Sequence, residues 1–242
     1  GNCEYALRYD RYGTELMASF SGHRHDGKDF YFREGVTWTF VSSASFAARY
    51  TPKGFIFDVS GSSLFTKEPM PVASFLCSIV SSAMLKAINP TINFQVGNLC
   101  LLPILLDDNH GEYSHIYSIA AEAIGIAKSD WDSHETSWDF SVLPILSKGV
   151  LSESLSFTYD AAAESFRCNT SRTQKLEEDN NRIFISAYGL EGELTPEVPL
   201  EEITLTCNPV YRYGAGKTEA EYAALQLADT MMELVSYAVG CM

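Results

Sequence analysis

Long apolar runs, paired cysteines and basic charge are all scarce in this chain, and each shortage removes a class of protein. No run of about 18 apolar residues occurs in the sequence, so no membrane-spanning helix is expected and no membrane partner is called for. The amino end, GNCEY, has neither the basic start nor the apolar core of a signal peptide. It reads as the middle of a domain, and a cytoplasmic location is expected. Six cysteines are present (Cys3, Cys77, Cys100, Cys168, Cys207, Cys241), but no two form a Cys-x-x-Cys pair. That spacing argues against a zinc site and against a disulfide scaffold, and it leaves reduced, mostly buried thiols as the expectation.

Basic residues number 17 against 31 acidic, giving a net charge of −14. The imbalance is not uniform. Through Leu106 there are nine basic and eight acidic residues; from Asp107 onward there are eight and 23. A chain of this length supports one large core or two smaller ones, and the charge step favours two, 1–106 and 107–242. The acidic part would repel a phosphate backbone, so a nucleic acid would meet the first part.

Ten of the fourteen phenylalanines lie in that first part, several in alternation with polar residues. Residues 29–33, 36–41 and 55–59 read as short strands, and the polar stretch SGHRHDGK at 21–28 reads as a loop. Pro71 suits the first turn of a helix whose apolar positions run to Ala87, and Asn89-Pro90 ends it. A further strand is expected over 91–96.

The second part reads as helical. Residues 110–128 place Ile116, Tyr117 and Ala120 on one face. From Glu153 to Tyr188 neither proline nor glycine intervenes, and a heptad seam with a polar middle predicts one long packed helix, capped by Gly189. A proline-spaced linker covers 195–209. Thr218 and Glu221 form a capping box for a last helix, whose Tyr222, Leu225, Ala228, Met232, Val235 and Val239 are expected to face inward. The fold class is therefore α+β: a twisted mixed β-sheet with helices, followed by a mainly α-helical part.

Four motifs invite chemistry. Asn208-Pro209-Val210-Tyr211 is one residue from the Asn-Pro-Pro-Tyr box of adenine methyltransferases, where an amide accepts from the exocyclic amine and a ring stacks on a flipped base. It lacks the glycine-rich turn after a strand that a methyl donor requires, so a structural turn is the better reading. Gly214-Ala215-Gly216-Lys217-Thr218 imitates a phosphate loop, yet Tyr211 stands where that loop needs its first glycine. His23-Arg24-His25-Asp26 is a short polar cluster with no further ligand nearby. Arg24, Lys28, Arg33, Arg49 and Lys53, with aromatic neighbours Tyr31, Trp38 and Tyr50, are the candidates for DNA contact, since arginine reads guanine edges and lysine neutralises phosphate.

Six stretches together resemble a known family. Residues 1–5, 34–65, 89–103, 130–140, 176–213 and 230–242 are similar to the PglX adenine-specific DNA methyltransferases of BREX phage-resistance systems, in the region beyond their catalytic domain. Asn98 departs from the family, where an acidic residue is expected after Val96-Gly97. The resemblance implies that 1–106 is a target-recognition domain, incomplete at its start, and that 107–242 is a helical spacer and dock. It implies double-stranded DNA as a partner, with the protein's own catalytic domain and other defence subunits as further ones. It implies S-adenosylmethionine for the parent protein only. No catalytic residue, cofactor contact or metal ligand carries over. The alternative is an acidic helical interaction module that docks partner subunits, and a third reading makes the fragment an autonomous methyltransferase working through Asn208–Tyr211.

Overall fold

The computed structural model describes residues 5–24, 26–41, 46–58, 61–105, 112–147 and 154–242. Its order is α1 (Arg11–Ala18), β1 (Gly35–Trp38), β2 (Ala48–Thr51), β3 (Ser63–Leu64), α2 (Pro69–Leu76), α3 (Ile79–Ile88), α4 (Val96–Leu99), α5 (Glu112–Asp132), α6 (Leu155–Tyr188), α7 (Pro209–Tyr213) and α8 (Glu219–Gly240). The α+β class is as expected, and the described strands pair antiparallel in the order β2-β1-β3. Two compact units emerge. One comprises Gly1–Cys77 and Ser82–Pro103; the other comprises Ser78–Ser81 and Ile104–Met242.

In the first unit, the alternation around Trp38 forms the central strand as expected. Val36 and Trp38 point into the core and are essentially inaccessible. Helix α2 covers them with Val72, Phe75 and Leu76, and the Trp38 indole N–H donates to the Phe94 carbonyl at 2.9 Å. Gly35 is required here, because a Cβ would stand 2.6 Å from the Leu64 carbonyl oxygen.

Three strand expectations fail. Residues 28–30 form a 3-10 turn and Phe32 takes φ +65°, so the Phe30/Phe32 alternation serves a turn and not a strand. The second strand is Ala48–Thr51, while 55–58 is irregular and supplies a ring, Phe57, to an aromatic cluster. Over 91–96 only Asn93 bridges, to Val41, before α4 begins. The unexpected Asn98 helps to start α4: its side-chain oxygen accepts from Gln95 N at 3.2 Å and from the Asn89 amide at 3.1 Å. The helix expected over 71–87 is two, parted at Cys77–Ser78.

The second unit is built on α5 and the 34-residue α6, which pack together. Of the expected seam, Ala162, Thr173, Leu176 and Asn180 are buried, Asn169 is half-buried, and Leu155 and Ala187 at its ends are exposed; Thr170, Asn181 and Phe184 are buried beside it. Arg172 spans to Glu122 of α5 with two hydrogen bonds of 2.6 Å. Gly189 caps α6 in the left-handed region, with Leu190 N returning to the Ile185 carbonyl.

The proline-spaced stretch after α6 is no loose linker. Val198, Ile203, Leu205 and Cys207 form a buried cluster against Ile126 and Phe166. Asp130, at the end of α5, holds it there. Its carboxylate accepts from Thr206 N (2.6 Å), Thr206 Oγ1 (2.7 Å) and Cys207 N (2.9 Å).

Helix α8 begins with the expected capping box, and Tyr222 is half-buried with its hydroxyl donating to the Gly214 carbonyl, but the other residues expected inward face out. Met232, Val235 and Val239 are 62%, 64% and 66% exposed. Polar residues face inward instead: Gln226 donates to the Cys207 carbonyl, Asp229 accepts from Tyr213, and Thr230 is buried. Apolar periodicity locates a face of a helix, not what lies against it. The thiols also differ from expectation. Among the described cysteines Cys207 alone is buried, and Cys77, Cys100, Cys168 and Cys241 are exposed. No single described helix is long and apolar enough to cross a membrane; the bent pair α2 and α3 passes by length and composition only.

Three outcomes follow from these contacts. Replacing Asp130 by Ala strands one buried and one half-buried backbone donor and should lower unfolding stability by about 2–3 kcal/mol in urea melts. Burial, then the charge of Asp130, pushes the Cys207 thiol up to about 12, so a thiol reagent at pH 8 should label the exposed cysteines and spare Cys207 until the chain unfolds. Burial, then the charge of Glu202, raises the Glu177 carboxyl from 4.5 to about 7. The folded chain therefore keeps a proton there that the unfolded chain releases, and this group's contribution to stability falls as pH rises from 4.5 through 7. Glu177→Gln should flatten that slope and raise stability at pH 8 by about 1–3 kcal/mol.

Candidate nucleic-acid interface

The Asn208 tetrad is settled by hydrogen-bond accounting. Asn208 is 1% exposed, and its amide nitrogen donates to the carbonyls of Leu200 (2.7 Å) and Ile203 (2.8 Å). Its amide oxygen accepts from Val210 N at 3.1 Å, capping α7. An adenine amine would need that oxygen, and the oxygen is buried and engaged. Pro209 fills the first helical position, and Tyr211 remains half exposed. The tetrad is a helix start that pins the 200–208 turn. Nor does a strand lead into it: residues 200–202 form a 3-10 turn, and no described strand lies in this unit. These residues do not fit a base-gripping box or a methyl-donor site.

The Gly-Lys-Thr sequence is likewise structural. Lys217 turns its ammonium onto the Tyr213 and Gly214 carbonyls. Thr218 and Glu221 cap α8 reciprocally, with Thr218 N to Glu221 Oε2 at 2.8 Å and Glu221 N to Thr218 Oγ1 at 3.3 Å. In the histidine cluster, His25 lies outside the described residues and Arg24 pairs with Asp26 at 2.7 Å. Among the described residues no group of three potential metal ligands gathers.

The five candidate cations all lie on the surface of the first unit. Lys28 opens the 3-10 turn after Gly27, a glycine held at φ +76° where a Cβ would stand 2.9 Å from the Phe57 ring. Arg33 leaves the same turn, its guanidinium 5.3 Å from the Phe30 ring centroid. Lys53 sits in the turn after β2. Two backbone bonds bring these segments together, Phe32 N to the Phe55 carbonyl at 2.9 Å and Gly54 N to the Phe32 carbonyl at 3.1 Å. Arg49 stands within β2 opposite Thr37, and its guanidinium donates to Thr39 Oγ1 at 3.3 Å. Arg24 is set apart by its pairing with Asp26. Lys28, Arg33, Arg49 and Lys53 make no ion pair among the described residues.

The aromatic partners differ from those expected. Trp38 is core, Tyr50 donates to Glu34 at 2.8 Å, and Tyr31 is packed edge-on between Tyr9 and Phe57, where burial raises its phenol above the ordinary value. The rings left at the surface beside the cations are Phe30, Phe32 and Phe55. Phe32 is the one described non-glycine residue with positive φ, a conformation that costs about 1 kcal/mol or more. Its paired backbone bonds and its edge contact with Tyr9 (5.2 Å) hold it there. No local sequence signal announces that twist; only the pairing with 54–55 imposes it. The local arrangement offers phosphate-neutralising cations around apolar rings, chemistry suited to a nucleic-acid backbone and its bases.

No family model matches the chain. It is 34% identical over 249 residues to the adenine-specific methyltransferase BrxX of Escherichia coli O9:H4 (strain HS), an alignment that takes in 100% of the chain and 19% of that protein. It is 30% identical over 219 residues to the adenine-specific methyltransferase PglX of Lacticaseibacillus casei (strain Zhang), covering 85% of the chain and 18% of that protein. The chain thus spans about a fifth of the length of these relatives. With a match that runs end to end along the chain but takes in one region of each relative, the protein is a homologue of a single region of the BrxX and PglX adenine-specific methyltransferases.

Proposed function

We infer that the first unit reads double-stranded DNA for an adenine-N6 methyltransferase of a BREX-type phage-defence system, and that the second unit is its helical spacer and dock. The observation that carries this reading is the chain-long match to two adenine-specific methyltransferases in a chain whose tetrad amide is buried and engaged. Methyl transfer from S-adenosylmethionine then belongs to another part of the parent protein, and this region contributes choice of site, in the bacterial cytoplasm where the DNA lies. Lys28, Arg33 and Lys53, joined through the Phe32 pairing, set the register on the phosphates, with Arg49 reaching from β2 and Arg24 from the adjoining loop. The acidic excess of the second unit keeps the duplex off the helices, since like charge repels the backbone and confines contact to the near-neutral first unit.

In the parent protein, replacing Arg24, Lys28, Arg33, Arg49 and Lys53 together by Ala should weaken duplex binding. The slope of log affinity against log salt should fall by about 1 for each phosphate contact removed. Sequencing of methylated sites should show lost or relaxed site choice. Unchanged site choice and an unchanged slope in the fivefold variant would refute the assignment.

A further inference from the structure

Phe32 is both strained and exposed, a combination that the packing of the first unit does not require. It takes φ +65°, the left-handed region where glycine or asparagine sits at little cost and phenylalanine does not. Burial is not the return, because the residue is 44% exposed. Its backbone is held on both sides: its N–H donates to the Phe55 carbonyl at 2.9 Å, and its carbonyl accepts from Gly54 N at 3.1 Å. Its ring is braced by the edge-on rings of Tyr9 (5.2 Å) and Tyr31 (6.4 Å). Phe55, joined to it by the first of those bonds, is 40% exposed and meets no other ring among the described residues. The neighbouring rings are occupied. Phe30 stacks on Phe65 at 5.1 Å with the Arg33 guanidinium over it, and Phe57 packs on Tyr31 and Phe65.

We propose that Phe32 and Phe55 form a wedge that enters the base stack of the bound duplex, so that the first unit selects a base step by how readily it opens. The inference rests on the reading of this unit as the DNA-reading part and names how part of that reading is done. A wedge needs apolar rings at the surface, a backbone that does not yield, and cations close by. The rings replace the stacking that is lost, while Arg33 and Lys53, one and two residues from them, neutralise phosphates drawn together as the duplex kinks. Strain borne in the free protein fixes the ring before DNA arrives, which removes its ordering from the binding step. Pyrimidine–purine steps unstack most easily, so the preference falls on such a step at one place in the motif.

The test uses the parent protein and end-labelled duplexes of about 30 base pairs that carry its methylated motif. Energy transfer between the ends should report a bend of about 20–90°. Duplexes with one mismatch, set in turn at each step away from the target adenine, should reveal one position where binding tightens about fivefold or more, because unstacking there costs less. Phe32→Asn, which suits the left-handed backbone, and Phe55→Ala should each reduce the bend by about half or more and abolish the mismatch preference. Circular dichroism melts should show both variants folded, and the slope of log affinity against log salt should stay as it was. Should Phe32→Asn fail to fold, Phe55→Ala carries the same test. A bend or a mismatch preference that persists in the folded variants would overturn the wedge and leave the DNA-reading assignment standing. A salt slope that falls together with the bend would overturn it too, making the rings mere supports for the cations. Unchanged duplex binding by the fivefold alanine variant of the cations would remove the assignment and the wedge with it.

Discussion

A buried carboxylate fixes the second unit. Asp130 closes α5 by accepting from two backbone N–H groups and one hydroxyl of residues 206–207, of which the Cys207 N–H is buried within the apolar cluster around Ile203 and the Thr206 groups are half-buried beside it. A buried donor without a partner costs as much as several ordinary contacts return, so the chain is held to one path across α5 and α6. Asn208 continues the same accounting for the next turn, satisfying two carbonyls and one N–H. The start of α7, the Arg212 ion pairs and hence the placement of α8 descend from that path. A four-residue string resembling a catalytic box is in this way a structural joint.

The placement of α8 has a consequence for where apolar surface can go. Once Gln226, Asp229 and Glu233 are engaged by residues of the 207–213 region, the aliphatic stripe has only the outside left. The first unit shows a different compromise: Phe32 accepts backbone strain so that two turns pair, and the pairing gathers Lys28, Arg33 and Lys53 around surface rings.

What could be read from the residues alone follows the strength of local signals. The length of α6, its Gly189 cap and the Thr218–Glu221 capping box are local, and they appear where the residues place them. The central strand at Trp38 was legible because alternation coincides with burial. The turns at 28–33 and the strand Ala48–Thr51 were not, because there the pairing partner, and not the run of phenylalanines, decides the backbone. The facing of α8 was illegible for a different reason: periodicity finds two faces and assigns neither, and here hydrogen bonds from distant residues choose the polar one. Of the candidate cations, the residues could say only that they exist in a near-neutral stretch; the structure adds that the Phe32 pairing joins the segments carrying three of them. The surface rings beside them are phenylalanines that no motif singled out.

The most direct measurement transplants specificity. The stretch of the parent methyltransferase that corresponds to residues 1–103 of this chain is exchanged for the aligned region of a relative that methylates a different sequence, and the methylated motif is read by sequencing. If the first unit chooses the site, the motif follows the transplanted stretch while methyl transfer persists. An active chimera that keeps the recipient's motif would contradict it.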